Sequence, residues 1–368
     1  MAGIYIHIPF CKQRCSYCDF FSSTDFRMKK SYIFSVCNEL YDRKTYLREP
    51  VDTIYFGGGT PSVLEFNELE AIFATIYSIY GDSKNREVTI EVNPDDITFE
   101  YVITLKHFPI NRISMGIQSF DDCELQLLNR RHNAQSAKQA VHRLQQAGYG
   151  NISIDLMYGL PGQTIKTWEK TLQQAIDLQV QHISAYHLTY EKGTTLHKQL
   201  NEGTLIPTND ELSNRMYEVL MDTLVSNGFE HYEISNFARH GFQSRHNSSY
   251  WDGSHYLGIG ASAHSYNGTE RRWNRKTVKS KDWTLDFETE ILDNKMKYND
   301  FIITRLRLMK GMDLNELSAF FGESRKTDCL RQAEKHIVNG LLKYEDNRLR
   351  LTRKGIFLSD GIMSDLME

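Results

Sequence analysis

Three thiols crowd into eight positions near the start of the chain, in "CKQRCSYC": Cys11, Cys15 and Cys18. Thiolates at this density bind metal. Zinc in a closed structural site takes four ligands, usually from two paired knuckles, and no second Cys-x2-Cys occurs. His7 is near enough to serve as a fourth ligand, but it falls inside the strand-like run "GIYIHIPF". A redox pair formed by Cys15 and Cys18 would leave Cys11 without a role. A cubane iron–sulfur cluster fits the three better, although such clusters usually take four thiolates. Phe20 stands where a fourth sulfur would still be within reach. One iron would then be open to a small-molecule chelate.

A second concentration of chemistry lies at "HNSSYW" (246–251), in a region where five histidines, 231, 240, 246, 255 and 264, fall close together. His246 is a candidate axial ligand for heme iron, and Tyr250 and Trp251 offer flat apolar faces to a porphyrin. The segment "RRWNRKTVKSK" (271–281) has basic residues and no acidic one, and reads as a solvated face or a docking surface for anionic groups. Cys37, Cys123 and Cys329 are scattered and read as reduced, structural thiols.

These residues need a scaffold, and the first half of the chain supplies its pattern. Strand-like runs at 3–10, 51–59, 87–93, 110–118, 151–159 and 182–189 alternate with helix-like stretches at intervals of a βαβ unit. A parallel sheet follows, doubly wound or curved into a partial barrel. Cys11, Gly57, Gly58, Gly59, Thr60, Glu91 with Asn93, Gln118 and Asp155 fall at successive strand ends, the active-site face of βα architectures. Residues 1–200 read as this barrel and 201–296 as a mixed α/β extension. Residues 297–368 read as a winged-helix-like unit whose hairpin turns near Asp346–Asn347.

The chain is 40% hydrophobic and 24% charged with a formal net charge of −4, which gives no case for nucleic-acid binding. With no membrane-length apolar run and no leader pattern, the expected compartment is the cytoplasm.

Taken together, the motifs resemble the radical S-adenosylmethionine (SAM) superfamily. "CKQRCSYC" matches its cluster loop and "FGGGTPS" (56–62) its glycine motif. "IEVNPD", "GIQSF" and "IDLMYGLPGQT" are similar to one branch, the oxygen-independent coproporphyrinogen III dehydrogenases and the HemW-type heme chaperones. The resemblance implies an α/β fold, a partial (β/α)6 barrel with a C-terminal α+β, winged-helix-like domain. It implies a [4Fe-4S] cluster on Cys11, Cys15 and Cys18, with SAM on the remaining iron. Tyr5 and Tyr17 would pack near the sulfonium and adenine, and Gly58, Gly59 and Thr60 near the methionine end. Glu91, Gln118 and Asp155 would accept from ribose or amino groups, Arg130 would face the carboxylate, and Thr189 would flank the adenine. No catalytic residue is assigned.

Within the branch, the dehydrogenases carry a further cysteine at the position of Phe20 and a longer segment ahead of the first strand. "HNSSYW" instead matches the chaperones' His-Asn-x-x-Tyr-Trp signature. The expected activity is therefore heme binding and transfer to apo-hemoproteins, membrane-bound respiratory enzymes among them, with a homodimer allowed. Oxidative decarboxylation of coproporphyrinogen III by a 5′-deoxyadenosyl radical is the alternative.

Overall fold

The computed structural model describes residues 2–275, 277 and 286–368. Six parallel strands come first: β1 (Ala2–Ile8), β2 (Val51–Gly58), β3 (Glu87–Val92), β4 (Arg112–Gln118), β5 (Ile152–Tyr158) and β6 (His182–His187). Each has a period of two. Ile4, Ile6 and Ile8, Ile54 and Phe56, Ile113, Met115 and Ile117 are among the residues that face the crossover helices and form the main core. Amphipathic helices such as Ala134–Gln146 and Ile165–Asp177, each entered through a capping box, cover that face.

The other parity faces inward and is largely polar: Tyr5 and His7, Thr53 and Tyr55, Thr89 and Glu91, Arg112 and Ser114, Ser153 and Asp155, His182 and Ser184. Hydrogen bonds join neighbouring members of this set, from Tyr55 to Glu91 (2.8 Å) and between Ser153 and His182 (2.7 Å). The barrel lumen is a polar interior inside an apolar jacket.

The segment 201–296 completes the same sheet at both edges rather than forming a separate layer. β7 (Glu230–Glu233) and β8 (Asn236–Ala238) form a hairpin antiparallel to β6. At the other edge β9 (His255–Ile259) pairs parallel with β1, and β10 (His264–Tyr266), β11 (Glu270–Asn274) and β12 (Phe287–Ile291) follow antiparallel. The parallel set therefore has a seventh member beyond the six expected. The helix Lys29–Asp42 latches β9 in place: Arg43, just past its end, donates to Gly258 O (2.8 Å), and Glu39 accepts from Gly260 N (2.9 Å).

The C-terminal unit has winged-helix order. The helix Asn294–Leu306 leads to β13 (Met312–Asp313), the helices Leu314–Phe321 and Glu323–Val338, and the hairpin β14 (Leu342–Glu345) and β15 (Arg348–Leu351). Asp346 and Asn347 both have positive φ, +50° and +56°, as a two-residue type I′ hairpin turn requires. The basic residues of Glu323–Val338 are engaged at home, Arg331 with Asp328 and Lys335 with Asp365.

The basic stretch 271–281 is answered in part. Arg271 pairs with Glu290 and Asp300, and Arg275 with Asp286, so these charges are neutralised within the fold rather than offered to a partner. Lys276 and residues 278–281 lie outside the described residues. Among the described residues, no helix is long and apolar enough to cross a membrane. Of the scattered cysteines, Cys329 is buried, Cys37 half-buried and Cys123 exposed, which removes Cys123 from the structural set.

Candidate functional site

A cavity of about 740 Å³ opens at the C-terminal ends of the strands. Cys11, Cys15, Cys18, Gly58, Gly59, Thr60, Glu91, Gln118, Arg130, Asp155, Tyr17 and Thr189 all line it, so the cysteine loop, the strand ends and Arg130 meet around one space. Tyr5 does not. It sits deeper on β1, its hydroxyl 3.1 Å from His7 Nδ1 and its ring stacked on Tyr55.

The cysteine loop is held by its backbone. Ser16 N donates to Leu128 O (3.1 Å), Leu196 N donates to Ser16 O (3.0 Å), Gln13 Nε2 donates to Asn129 O and Oδ1, and Asn129 Nδ2 donates to Arg14 O. Leu128, Met157, Leu160, Leu188 and Leu196 form a second, small core beneath, against which Tyr17 packs. Lys12 ties the loop to buried Asp96 (2.7 Å), which also accepts from Ser62 (2.8 Å).

Around the sulfurs the polar contacts are continuous. Thr60 Oγ1 donates to Cys11 Sγ (3.4 Å), Asn93 Nδ2 donates to Thr60 Oγ1 (3.1 Å), and Arg130 donates to Asn93 Oδ1 and Gly116 O (both 2.6 Å) and to Cys15 Sγ (3.1 Å). Asn93, read from the sequence as a strand-end residue without an assigned role, is thus the hinge of the network. Gln118 ends β4 with φ +71° at a register shift against β5, an uncommon backbone for a residue with a Cβ, and it lines the cavity.

Glycine is required where the chain passes the sulfurs. A Cβ on Gly59 would lie 2.9 Å from Ile8 O and 3.0 Å from Cys11 Sγ, and Gly58 has φ +108° with the His7 ring against it. Burial pushes the Glu91 carboxyl up to about 7, although Tyr55 and Gly58 N donate to it, and pushes Asp155 up to about 6.

These residues fit an iron–sulfur cluster and SAM. Burial raises the thiols of Cys11 and Cys18, the latter to about 11, so they are thiolates only beside a strong positive centre such as a metal. Among the described residues no three ligating side chains converge on a single ion position. A cubane needs no such point, because each sulfur serves a different iron. Arg130 keeps a buried Nε without a partner at the cavity wall, suited to a carboxylate.

The "HNSSYW" signature is elsewhere. It forms the helix Arg245–Asp252 at the N-terminal ends of the strands, opposite the cysteines, with Glu87 accepting from Arg245 N (3.1 Å) and His246 N (3.0 Å). His246 is 0% exposed. Its Nδ1 meets Thr53 Oγ1 at 2.8 Å, its Nε2 meets Tyr250 OH at 2.9 Å, and its ring stacks on Tyr55 at 5.0 Å. Burial lowers its pKa to about 3. Both nitrogens are committed, so the axial-ligand role expected for His246 does not fit. Tyr250 packs edge-on against Tyr256 and Trp251 lies under the Arg307 guanidinium (4.7 Å), so both rings are engaged within the fold. The signature plugs the barrel floor.

A partial barrel with three thiols at the end of its first strand defines a class, the radical SAM proteins. The radical SAM superfamily model matches residues 5–175, and the HemN C-terminal domain matches 292–358. The heme chaperone HemW of Lactococcus lactis is 33% identical over 368 residues, 99% of this chain and 96% of its own. The heme chaperone HemW of Bacillus subtilis is 36% identical over 76% of this chain and 74% of its own. In fold, the chain is similar to the coproporphyrinogen III oxidase HemN of Escherichia coli, with a TM-score of 0.85 at 21% identity, covering 100% of this chain and 90% of that one. The chain belongs to the HemW heme chaperone family of the radical SAM superfamily. Membership implies SAM and a [4Fe-4S] cluster.

Proposed function

We propose that this protein binds heme in the cytoplasm and passes it to apo-hemoproteins, membrane-bound respiratory enzymes among them. The observation that carries the reading is its 33% identity, over 99% of the chain, to a heme chaperone. Phe20 supports a carrier rather than an oxidase: at the cavity rim it presents an aromatic ring, 65% exposed, where the dehydrogenases carry a thiol.

Cys11, Cys15 and Cys18 would hold the cluster, and Gly58, Gly59, Thr60, Glu91, Gln118, Arg130, Asp155, Tyr17 and Thr189 would surround SAM. Held there, a cluster in its reduced state would supply an electron to the sulfonium. The chain's own part is positional. The glycines admit the methionine end, Arg130 holds a carboxylate while tied to Asn93, and Glu91 and Asp155 accept from hydroxyl or amino groups.

The test uses anaerobically reconstituted protein. Stoichiometric heme uptake and transfer to an apo-hemoprotein are expected, with no protoporphyrinogen from coproporphyrinogen III in the presence of SAM and reductant. Turnover of coproporphyrinogen without heme uptake would replace this reading with the dehydrogenase.

A further inference from the structure

With His246 committed to the barrel floor, a heme carrier needs its ligand elsewhere. Heme asks for a neutral imidazole nitrogen, a slot with flat apolar walls, and a cation for its propionates. The cavity supplies all three where the end of β6, the turn between β7 and β8, and the C-terminal unit meet. His187, the last residue of β6, is the only histidine among the described residues that line it.

The imidazole is built into place. Gly159 (φ +74°) lies against it, and a Cβ there would come within 2.5 Å of Nε2. Nε2 is 3.0 Å from the hydroxyl of Ser213, a neutral partner that sets the ring's orientation. Partial burial lowers the His187 pKa, which favours the neutral imidazole that ligation requires.

The walls are aromatic. The Tyr158 ring lies 5.3 Å from His187 and stacks on Tyr217 at 6.0 Å, while Tyr186, 42% exposed, and Met157 line the same space. Arg307, also lining the cavity, is 3.7 Å from Glu233 and keeps its Nε without a partner. Trp251 of the signature stacks under its guanidinium at 4.7 Å. Trp251 is thus a positioning residue for Arg307.

We propose that heme binds in this outer part of the strand-end cavity, with His187 as its axial ligand, Tyr158 and Tyr186 as walls, and Arg307 facing a propionate. The proposal rests on the reading that the protein binds heme.

Heme is titrated anaerobically into reconstituted wild type, His187→Ala and His187→Met, and followed by optical and electron-paramagnetic spectra. Iron content and SAM binding serve as the check on folding. The expected results are one heme per wild-type chain, at least a tenfold weaker complex without histidine-ligand features in His187→Ala, and a thioether-type spectrum in His187→Met. External imidazole should restore a histidine-type spectrum to His187→Ala. Arg307→Gln should lose any preference of the protein for heme over its dimethyl ester. Wild-type spectrum and affinity in both His187 variants would overturn the site while leaving heme binding intact. Absence of heme uptake by wild type would overturn the carrier reading and this site with it.

Discussion

Replacing His246 by Gln tests whether the signature histidine is a buried structural group. The ring is fully buried and neutral, with a pKa near 3 in the folded chain against 6.5 for an exposed histidine. Its folded-state pKa is depressed, so the sign is set. Below pH 6.5 the unfolded chain takes up a proton that the folded chain refuses, and stability falls as pH falls toward 3. Linkage gives a loss near zero at pH 7.5 and about 2 kcal/mol at pH 5.0, with a limiting slope of about 1.4 kcal/mol per pH unit. Glutamine cannot titrate but can still donate and accept toward Thr53 and Tyr250. The variant should be less stable than wild type at pH 7.5, because the stack on Tyr55 is gone. Between pH 7.5 and 5.0 the gap should change by about 2 kcal/mol in the variant's favour. Urea unfolding of both anaerobic proteins over that pH range measures it, since the other titrating groups are common to both. A difference independent of pH would refute the buried neutral ring. An altered heme spectrum in the variant would return His246 to the list of ligands.

Cys11→Ala, Cys15→Ala and Cys18→Ala should each abolish the cluster, while replacement of Cys37, Cys123 or Cys329 should leave about four irons per chain by iron and sulfide analysis. Gly59→Ala should also lose iron with the fold retained by circular dichroism, because its Cβ would press on the backbone at Ile8 and Pro9 and on the Cys11 sulfur. Arg130→Ala removes the cation beside the cysteines and the tie between Asn93 and Cys15, and should weaken SAM binding at least tenfold by calorimetry.

The strand-end site was legible because each of its residues closes a strand whose pattern could be read locally. "GIYIHIPF" before Cys11 and "NISIDLMYG" around Asp155 announce both the strand and its end. The polar lumen was less plain. Thr53 and Tyr55 in "VDTIYFGG" are good strand formers, so the run reads as apolar although one parity faces a hydrogen-bonded interior. His246 was misread for a different reason. Its motif fixes the residue types, but its helix starts on Glu87, far away in sequence, and nothing local reveals that attachment. His187 was visible in "HISAYHLT" and passed over, since a histidine at a strand end gives no signal until Gly159 and the tyrosines surround it. The pairing of β9 with β1 was hidden by the same distance.

That pairing has a consequence for how the protein is made. β1 is an interior strand, flanked by β2 on one side and β9 on the other, and it leads directly into the cysteine loop. During synthesis β2 follows within tens of residues, but β9 emerges only after some two hundred and fifty have left the ribosome. Until then the strand carrying the thiols has an open edge, and Tyr32 and Glu39 lack the backbone partners at Ala261 and Gly260 that hold its neighbouring helix. Contacts of such long sequence separation form late and slowly. The cluster-binding loop is therefore a product of the finished chain, and iron delivered to a nascent or truncated polypeptide would meet cysteines on an unfinished sheet.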